Sequence, residues 1–170
     1  MNPMREIRIE KLTLNIGAGK DQAKLEKSMA LLKNITGITP VKTFAKKRIP
    51  TWGLRPGLPI GCKLTLRGKK AEQLIPKLLD AKNNKLKESQ FNEGGNISFG
   101  IHEYIDIPGV KYDPKIGIMG LEACITLERP GFRIKRRAIM KRKIPKRHQI
   151  TKKEAMEFIK KRFNVEIGEG

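Results

Sequence analysis

Hydrophobic positions along the chain follow two rhythms, and the order of those rhythms sets the expected fold. Leu12, Leu14 and Ile16 alternate with Lys11, Thr13 and Asn15, the period of a strand with one apolar and one polar face. Ile7 and Ile9 have the opposite parity, so the strand either begins near Ile9 or carries a bulge around Lys11. Gly17-Ala18-Gly19-Lys20 turns the chain, and Leu25, Met29, Leu32 and Ile35 then recur at helical spacing until Gly37 supplies a stop. A short strand from Thr39 to Thr43 follows. From Phe44 to Pro59 the chain is rich in Pro, Gly, Lys and Arg and holds Trp52, which reads as a long exposed loop.

In the next strand Ile60, Cys62, Leu64 and Leu66 face one way and Lys63, Thr65 and Arg67 the other. Ala71, Leu74, Ile75, Leu78 and Leu79 form the stripe of a core-facing helix, in which Pro76 either makes a kink or marks a late start. After a polar connection from Asn83 to Gly95, strands are expected around Ile97, Phe99 and Ile101 and around Ala123, Ile125 and Leu127. Thr151 and Glu154 stand at the spacing of a capping box, which opens a last helix bearing Ala155, Phe158, Ile159 and Phe163. The order predicts an α+β, two-layer sandwich, its antiparallel sheet covered by helices on one face. The other face is left with Lys11, Thr13, Asn15, Lys63, Thr65 and Arg67, groups that suit phosphates, ribose hydroxyls and base edges.

Charge sharpens that expectation. With 37 Lys and Arg against 17 Asp and Glu in 170 residues, the net charge is +20, and the chain repels itself unless a polyanion neutralises it. The excess lies in blocks. No acid stands between Lys27 and Lys70, nor between Arg129 and Lys153, whereas the span from Glu72 to Glu128 is mildly acidic. Such segregation points to selected surfaces contacting nucleic acid. No apolar run of about 18 residues is present to span a bilayer, and the first residues carry no secretory signal, so no membrane partner and a cytoplasmic location are expected. Cys62 and Cys124 have no partner at metal-ligand spacing and read as reduced, packed thiols.

Catalytic motifs are missing. Gly17 to Lys20 falls short of a phosphate-binding loop, because Asp21 occupies the place where a Walker motif needs Ser or Thr. The following helix could still cradle an RNA phosphate with its first amides, although a plain turn is the simpler reading. His102 and His148 lack companions at ligand spacing and read as surface or RNA-contacting residues. No catalytic residue, metal or cofactor is therefore expected; a phosphotransferase built on Gly17 to Lys20 stays as a rival reading, which would require nucleotide affinity and which an ATP titration settles. Around Trp52 stand Lys46, Lys47, Arg48 and Arg55, a mixture that stacks on bases while neutralising phosphates. The alternative is a tryptophan folded back onto the core.

Four stretches carry a resemblance. They are Leu14-Asn15-Ile16-Gly17-Ala18-Gly19; Thr36-Gly37 with Pro40 and Ala45-Lys46-Lys47; the run from Arg55 to Gly68; and Gly95-Asn96-Ile97-Ser98-Phe99-Gly100-Ile101-His102-Glu103. Together they resemble the universal large-subunit ribosomal protein five family in its archaeal form. The resemblance implies a ferredoxin-like fold whose sheet side binds 5S rRNA in the central protuberance of the large ribosomal subunit. Carried over by position, Asn15, Thr65, Lys63 and Arg67 would touch 5S rRNA, with Lys11 and Thr13 beside them. The loop 44–59, with Lys46, Lys47, Arg48, Trp52 and Arg55, would reach the P-site tRNA.

Further implied partners are 23S rRNA, neighbouring ribosomal proteins of the central protuberance and a small-subunit ribosomal protein across the intersubunit bridge. The sequence departs from bacterial members at Ile38, where they have Gln, and between Asp80 and Gly95, where their Pro- and Arg-rich stretch is missing. Residues 1–128 are expected as a single α+β RNA-binding domain and 129–170 as a basic C-terminal extension with a short helix. On charge alone, Arg133, Lys135, Arg136, Arg137, Lys141, Arg142, Lys143, Lys146 and Arg147 are expected as other RNA contacts. A general RNA chaperone or RNA-binding regulator is the alternative function.

Overall fold

Strand β1 (Arg8–Gly17) runs from the first polar turn to the first glycine turn, with Leu12, Leu14 and Ile16 buried and Lys11, Thr13 and Asn15 only partly covered. The expected slip in parity is there: Ile9 and Leu12 are both buried, with Glu10 and Lys11 consecutive between them. The computed structural model describes residues 2–168.

Helix α1 (Gln22–Thr36) starts where the Asp21 carboxylate accepts a hydrogen bond from the Lys24 amide at 3.2 Å, and ends at Gly37, whose φ of 71° is the left-handed conformation that glycine tolerates best. Its buried side is Leu25, Ser28, Leu31 and Leu32, slightly rotated from the expected stripe, so that Met29 and Ile35 are half-buried. A serine fits this core because its hydroxyl donates to the Lys24 carbonyl at 2.7 Å.

Strand β2 (Val41–Phe44) pairs antiparallel with β3 (Pro59–Leu66), each displaced by a residue or two from the expected bounds. Buried Gly61 lets these strands close on β1, since a Cβ there would stand 2.6 Å from the Ile16 carbonyl oxygen. Helix α2 (Lys69–Asp80) buries Ala71, Ile75, Leu78 and Leu79 and carries Pro76 internally, on its exposed side. A short strand β4 (Lys85–Lys87) lies in the polar connection. Strands β5 (Ile97–Ile101) and β6 (Leu121–Glu128) and helix α3 (Lys152–Phe163) follow as expected. The capping box closes both ways, the Thr151 amide donating to Glu154 at 3.0 Å and the Glu154 amide to the Thr151 hydroxyl at 3.4 Å.

The main sheet is five-stranded and antiparallel, in the order β2-β3-β1-β6-β5, giving the α+β two-layer class. In a four-stranded ferredoxin-like sheet the strand after α2 would lie beside β1. Here β6 takes that place and β5 moves to the edge. Strand β4 pairs in parallel with β7 (Glu166–Gly168) in a separate two-stranded sheet that the hydrophobic pattern does not announce. Three residues are too few to show a period of two.

The chain divides into two compact units. One comprises Thr13–Leu66 and Gly100–Ala123 and packs α1 on β3, with Leu14, Ile16, Leu25, Leu32, Cys62 and Leu64 inside. The other comprises the segment up to Leu12, Arg67–Phe99 and the chain from Cys124 onward, with a core of Leu12, Ile75, Leu78, Ile97, Ile125 and Ile159. Each fully buried aliphatic side chain contributes about 1.5–3 kcal/mol.

Candidate nucleic-acid interface

In the unit built on α1, the polar side of β1 and β3 carries Thr13 and Asn15, partly covered, and Lys63 and Thr65, exposed. β3 and β1 are sheet neighbours, so the alternation that buries Cys62 and Leu64 turns these groups outward together. Asn15 donates from Nδ2 to Glu122 at 3.4 Å, which fixes the orientation of its amide on the strand.

The other unit treats its share of the polar side differently. Lys11 is partly covered and Arg67 exposed, but Arg67 lies 3.3 Å from Glu10. Glu10 also receives Arg136, whose second guanidinium nitrogen reaches Glu128 at 2.5 Å, while Glu128 takes Arg8 at 2.7 Å. The two carboxylate side chains are only 6% and 9% exposed. These acids escaped the sequence reading. The available signal was Glu10 itself, an acid placed at the slip in strand parity.

The loop 45–58 is organised by its own backbone. The Ala45 amide donates to the Leu58 carbonyl at 2.9 Å, the Gly57 amide to Ala45 at 3.0 Å, and Ile49 and Leu54 bridge across a 3-10 turn at Pro50–Trp52. Ala45 and Leu54 plug its base, whereas Lys46, Lys47, Arg48 and Arg55 are exposed. None of these four makes an ion pair among the described residues. Trp52, at the tip, is 67% exposed, so it does not fold back onto the core.

The basic tail is held down at both ends. Arg129 is 3% exposed, donates to Glu154 at 2.6 Å and to the carbonyls of Gln149 and His148 at 3.2 and 3.4 Å, and keeps a buried Nε without a partner. Burial works to raise the Glu154 pKa, but hydrogen bonds from the Thr151 amide and the Arg129 guanidinium outweigh it and hold the carboxyl below its ordinary value. His148 packs edge-on to Phe132 at 5.7 Å, with Nε2 2.9 Å from the Pro130 carbonyl, and is thus a packing residue; His102 is exposed.

Between these anchors Arg133, Arg137, Lys141, Arg142, Lys143, Lys146 and Arg147 are exposed, as is Lys135, whose ammonium lies over the Phe132 ring at 5.0 Å. Arg137 donates from Nε to the Met140 carbonyl at 2.9 Å. Arg136 alone among the expected tail contacts has both terminal nitrogens on carboxylates.

The glycine turn after β1 is a turn and nothing more. The amides of Ala18 and Gly19 both donate to the Ile60 carbonyl, at 2.9 and 3.0 Å, and the Asp21 carboxylate already accepts from the Lys24 amide in the first turn of α1. A phosphate would find those donors engaged and a carboxylate in its place. Cys62 is buried, and burial pushes its thiol pKa up to about 11, so it is an inert packing group. Among the described residues no cluster of His, Cys, Asp and Glu could hold a metal, and no helix is long and apolar enough to cross a membrane.

Two family profiles cover nearly the whole chain. "Ribosomal protein L5" matches residues 2–55, and the C-terminal profile of the same ribosomal family matches residues 59–158. The chain is 54% identical to the large ribosomal subunit protein uL5 of Sulfurisphaera tokodaii, over 100% of this chain and 97% of that protein. The chain belongs to the uL5 family. Its likeness to the uL5 proteins of Nanoarchaeum equitans (53% identity, 98% of both chains) and Methanobrevibacter smithii (48%, 97% of both) puts it with the archaeal form. As a uL5-family chain it is a non-catalytic protein of the large subunit of the cytoplasmic ribosome, with rRNA and ribosomal proteins as partners.

Proposed function

We propose that this uL5-family chain holds 5S rRNA through its outward strand residues and reaches the P-site tRNA through the loop 44–59. One observation carries the reading: Lys63 and Thr65 on β3 stand exposed beside the partly covered Thr13 and Asn15 on β1, a set of hydrogen-bonding groups and one cation on neighbouring strands. Lys11 and Arg67 extend the same strands and add charge, Arg67 by exchanging Glu10 for a phosphate. The loop contributes Lys46, Lys47, Arg48 and Arg55 with Trp52 as a stacking platform. The tail cations add contacts to 23S rRNA. Neighbouring proteins of the central protuberance and a small-subunit protein across the bridge complete the partners.

The test is 5S rRNA binding with an unrelated structured RNA as competitor. The double variant Lys63→Ala/Thr65→Ala should lose at least tenfold in 5S rRNA affinity, with an unchanged unfolding midpoint because both side chains are exposed. Unchanged affinity overturns the strand-face reading. Equal binding of both RNAs by the native chain favours a general RNA chaperone. If about 8 phosphates are neutralised, log affinity against log salt should fall with a slope near −7.

A further inference from the structure

A groove of about 610 Å³ opens in the unit that carries the tail, with Lys11, Asn96, Thr126, Phe132, Lys135, Lys143 and Gln149 among its lining residues. Its chemistry is mixed in an informative way. Lys11, Lys135 and Lys143 make no ion pair among the described residues, so their ammonium groups are available to an anion. The carboxylate in the wall, Glu10, is already shared by Arg136 and Arg67. Asn96, Gln149 and Thr126 supply donors and acceptors. Gln149 donates from Nε2 to the Ile144 carbonyl at 3.0 Å, which fixes its amide while leaving its oxygen and one N–H open. Leu127, Ile144 and Ile150 add apolar wall.

The volume falls in the range of about 300–1,000 Å³ that suits small ligands, far too small for a duplex and ample for one nucleotide. We infer that this groove receives a single unstacked nucleotide of a bound single-stranded RNA segment, its phosphate among Lys11, Lys135 and Lys143 and its base edge on Asn96 and Gln149. The pattern suits RNA, in which sequence-selective contacts fall on splayed bases read along their polar edges. A polynucleotide is favoured over a free nucleotide because exposed Arg133, Lys141 and Arg142 on the same tail can take the flanking phosphates. The inference deepens the RNA-binding reading above and rests on it.

The experiment uses the full-length chain, with nitrogen-15 labelling, titrated with AMP, ribose 5-phosphate and a five-residue oligoadenylate. The side-chain amide signals of Asn96 and Gln149 should move with AMP and with the oligonucleotide, but not with ribose 5-phosphate, and the oligonucleotide should bind at least tenfold more tightly than AMP. Lys143→Ala, and separately Lys135→Ala/Lys143→Ala, should weaken the oligonucleotide at least fivefold with no change in thermal midpoint. Lys160→Ala/Lys161→Ala, on the exposed side of α3, should leave it unchanged.

Three results overturn the inference: still groove amides with shifts spread over the basic surface, equal shifts from ribose 5-phosphate, or AMP binding as tightly as the oligonucleotide. Filter binding of 5S rRNA to the same samples separates the two claims. A chain that ignores 5S rRNA while its groove amides answer the oligonucleotide sinks the 5S assignment alone, and the reverse sinks the groove alone.

Discussion

Two stretches of this chain look alike as sequence and behave differently as structure. Between Lys27 and Lys70, and again between Arg129 and Lys153, lysines and arginines run without an acid among them. In the first, the loop 45–58 closes on its own backbone and leaves its cations and Trp52 facing outward. In the second, acids outside the stretch reach in: Glu154, just past its end, takes Arg129, and Glu128, just before its start, takes Arg136 together with Glu10, 126 residues away. Local charge density therefore does not measure how many cations are available to a polyanion. The loop presents its charge freely, while the tail uses part of its own to fasten itself down. Ion pairs of this kind add little to stability when exposed; when one partner is buried, the pair adds little net, but breaking it strands a desolvated charge at a large cost.

Removing an anchor in the tail should therefore have the largest effect. Glu154→Ala leaves the Arg129 guanidinium, 4% exposed at the side chain, with carbonyl partners only, and also opens the capping box of α3. Stranding a buried charge costs about 3–5 kcal/mol. Urea unfolding should show a loss of that order, whereas Lys47→Ala in the loop should stay within about 0.5 kcal/mol of the native chain. Similar losses at the two positions would erase the distinction between tail and loop.

The loop should show the opposite balance, with binding affected and stability spared. Trp52→Ala removes a ring that touches little of the protein, so the unfolding midpoint should barely move. Stacking on a base is worth about 1–3 kcal/mol, so affinity for tRNA should fall by roughly 5- to 150-fold if the ring serves as proposed. Tryptophan fluorescence reports the same event, because Trp52 is the only tryptophan and should be quenched as tRNA is added. A full-affinity Trp52→Ala variant would leave the loop a purely electrostatic contact.

Much of this architecture was legible in the sequence, and the exceptions share a cause. The strands through Leu12–Leu14–Ile16, Ile60 to Leu66, Ile97 to Ile101 and Ala123 to Leu127, the stop at Gly37 and the box at Thr151 are written in neighbours a few residues apart, where period and capping chemistry operate. Glu10 and Arg136 lie 126 residues apart, and Arg8 and Glu128 lie 120 apart. No local pattern encodes such pairs. Ser28 is buried in α1 because its hydroxyl is hydrogen-bonded to the Lys24 carbonyl, and β4 and β7 are too short to carry a rhythm. The orientation of Trp52 was open for the same reason, since a ring turned to solvent and a ring turned to the core can have identical neighbours in sequence. On the candidate interface, residue chemistry was readable, but how many of its cations are already paired was not.

Acid titration gives the finest test of the contrast. Glu154 has its carboxyl held below its ordinary value of 4.5 by the Thr151 amide and Arg129, against the effect of burial. A carboxyl with a depressed pKa in the folded chain adds stability that is complete above its unfolded pKa and is lost as the pH falls through the folded one. Glu154 should thus contribute fully at pH 7 and progressively less below about pH 4.5, whereas loop 45–58 contains no carboxylate to contribute at all. Exposed Glu88, hydrogen-bonded by Lys152, is shifted in the same direction, so the measurement must be a difference. Unfolding midpoints of the native chain and of Glu154→Gln, followed from pH 7 to pH 3, should converge as the pH drops. A constant gap across that range would show that the carboxylate charge does not hold the tail, leaving its hydrogen-bond geometry as the anchor.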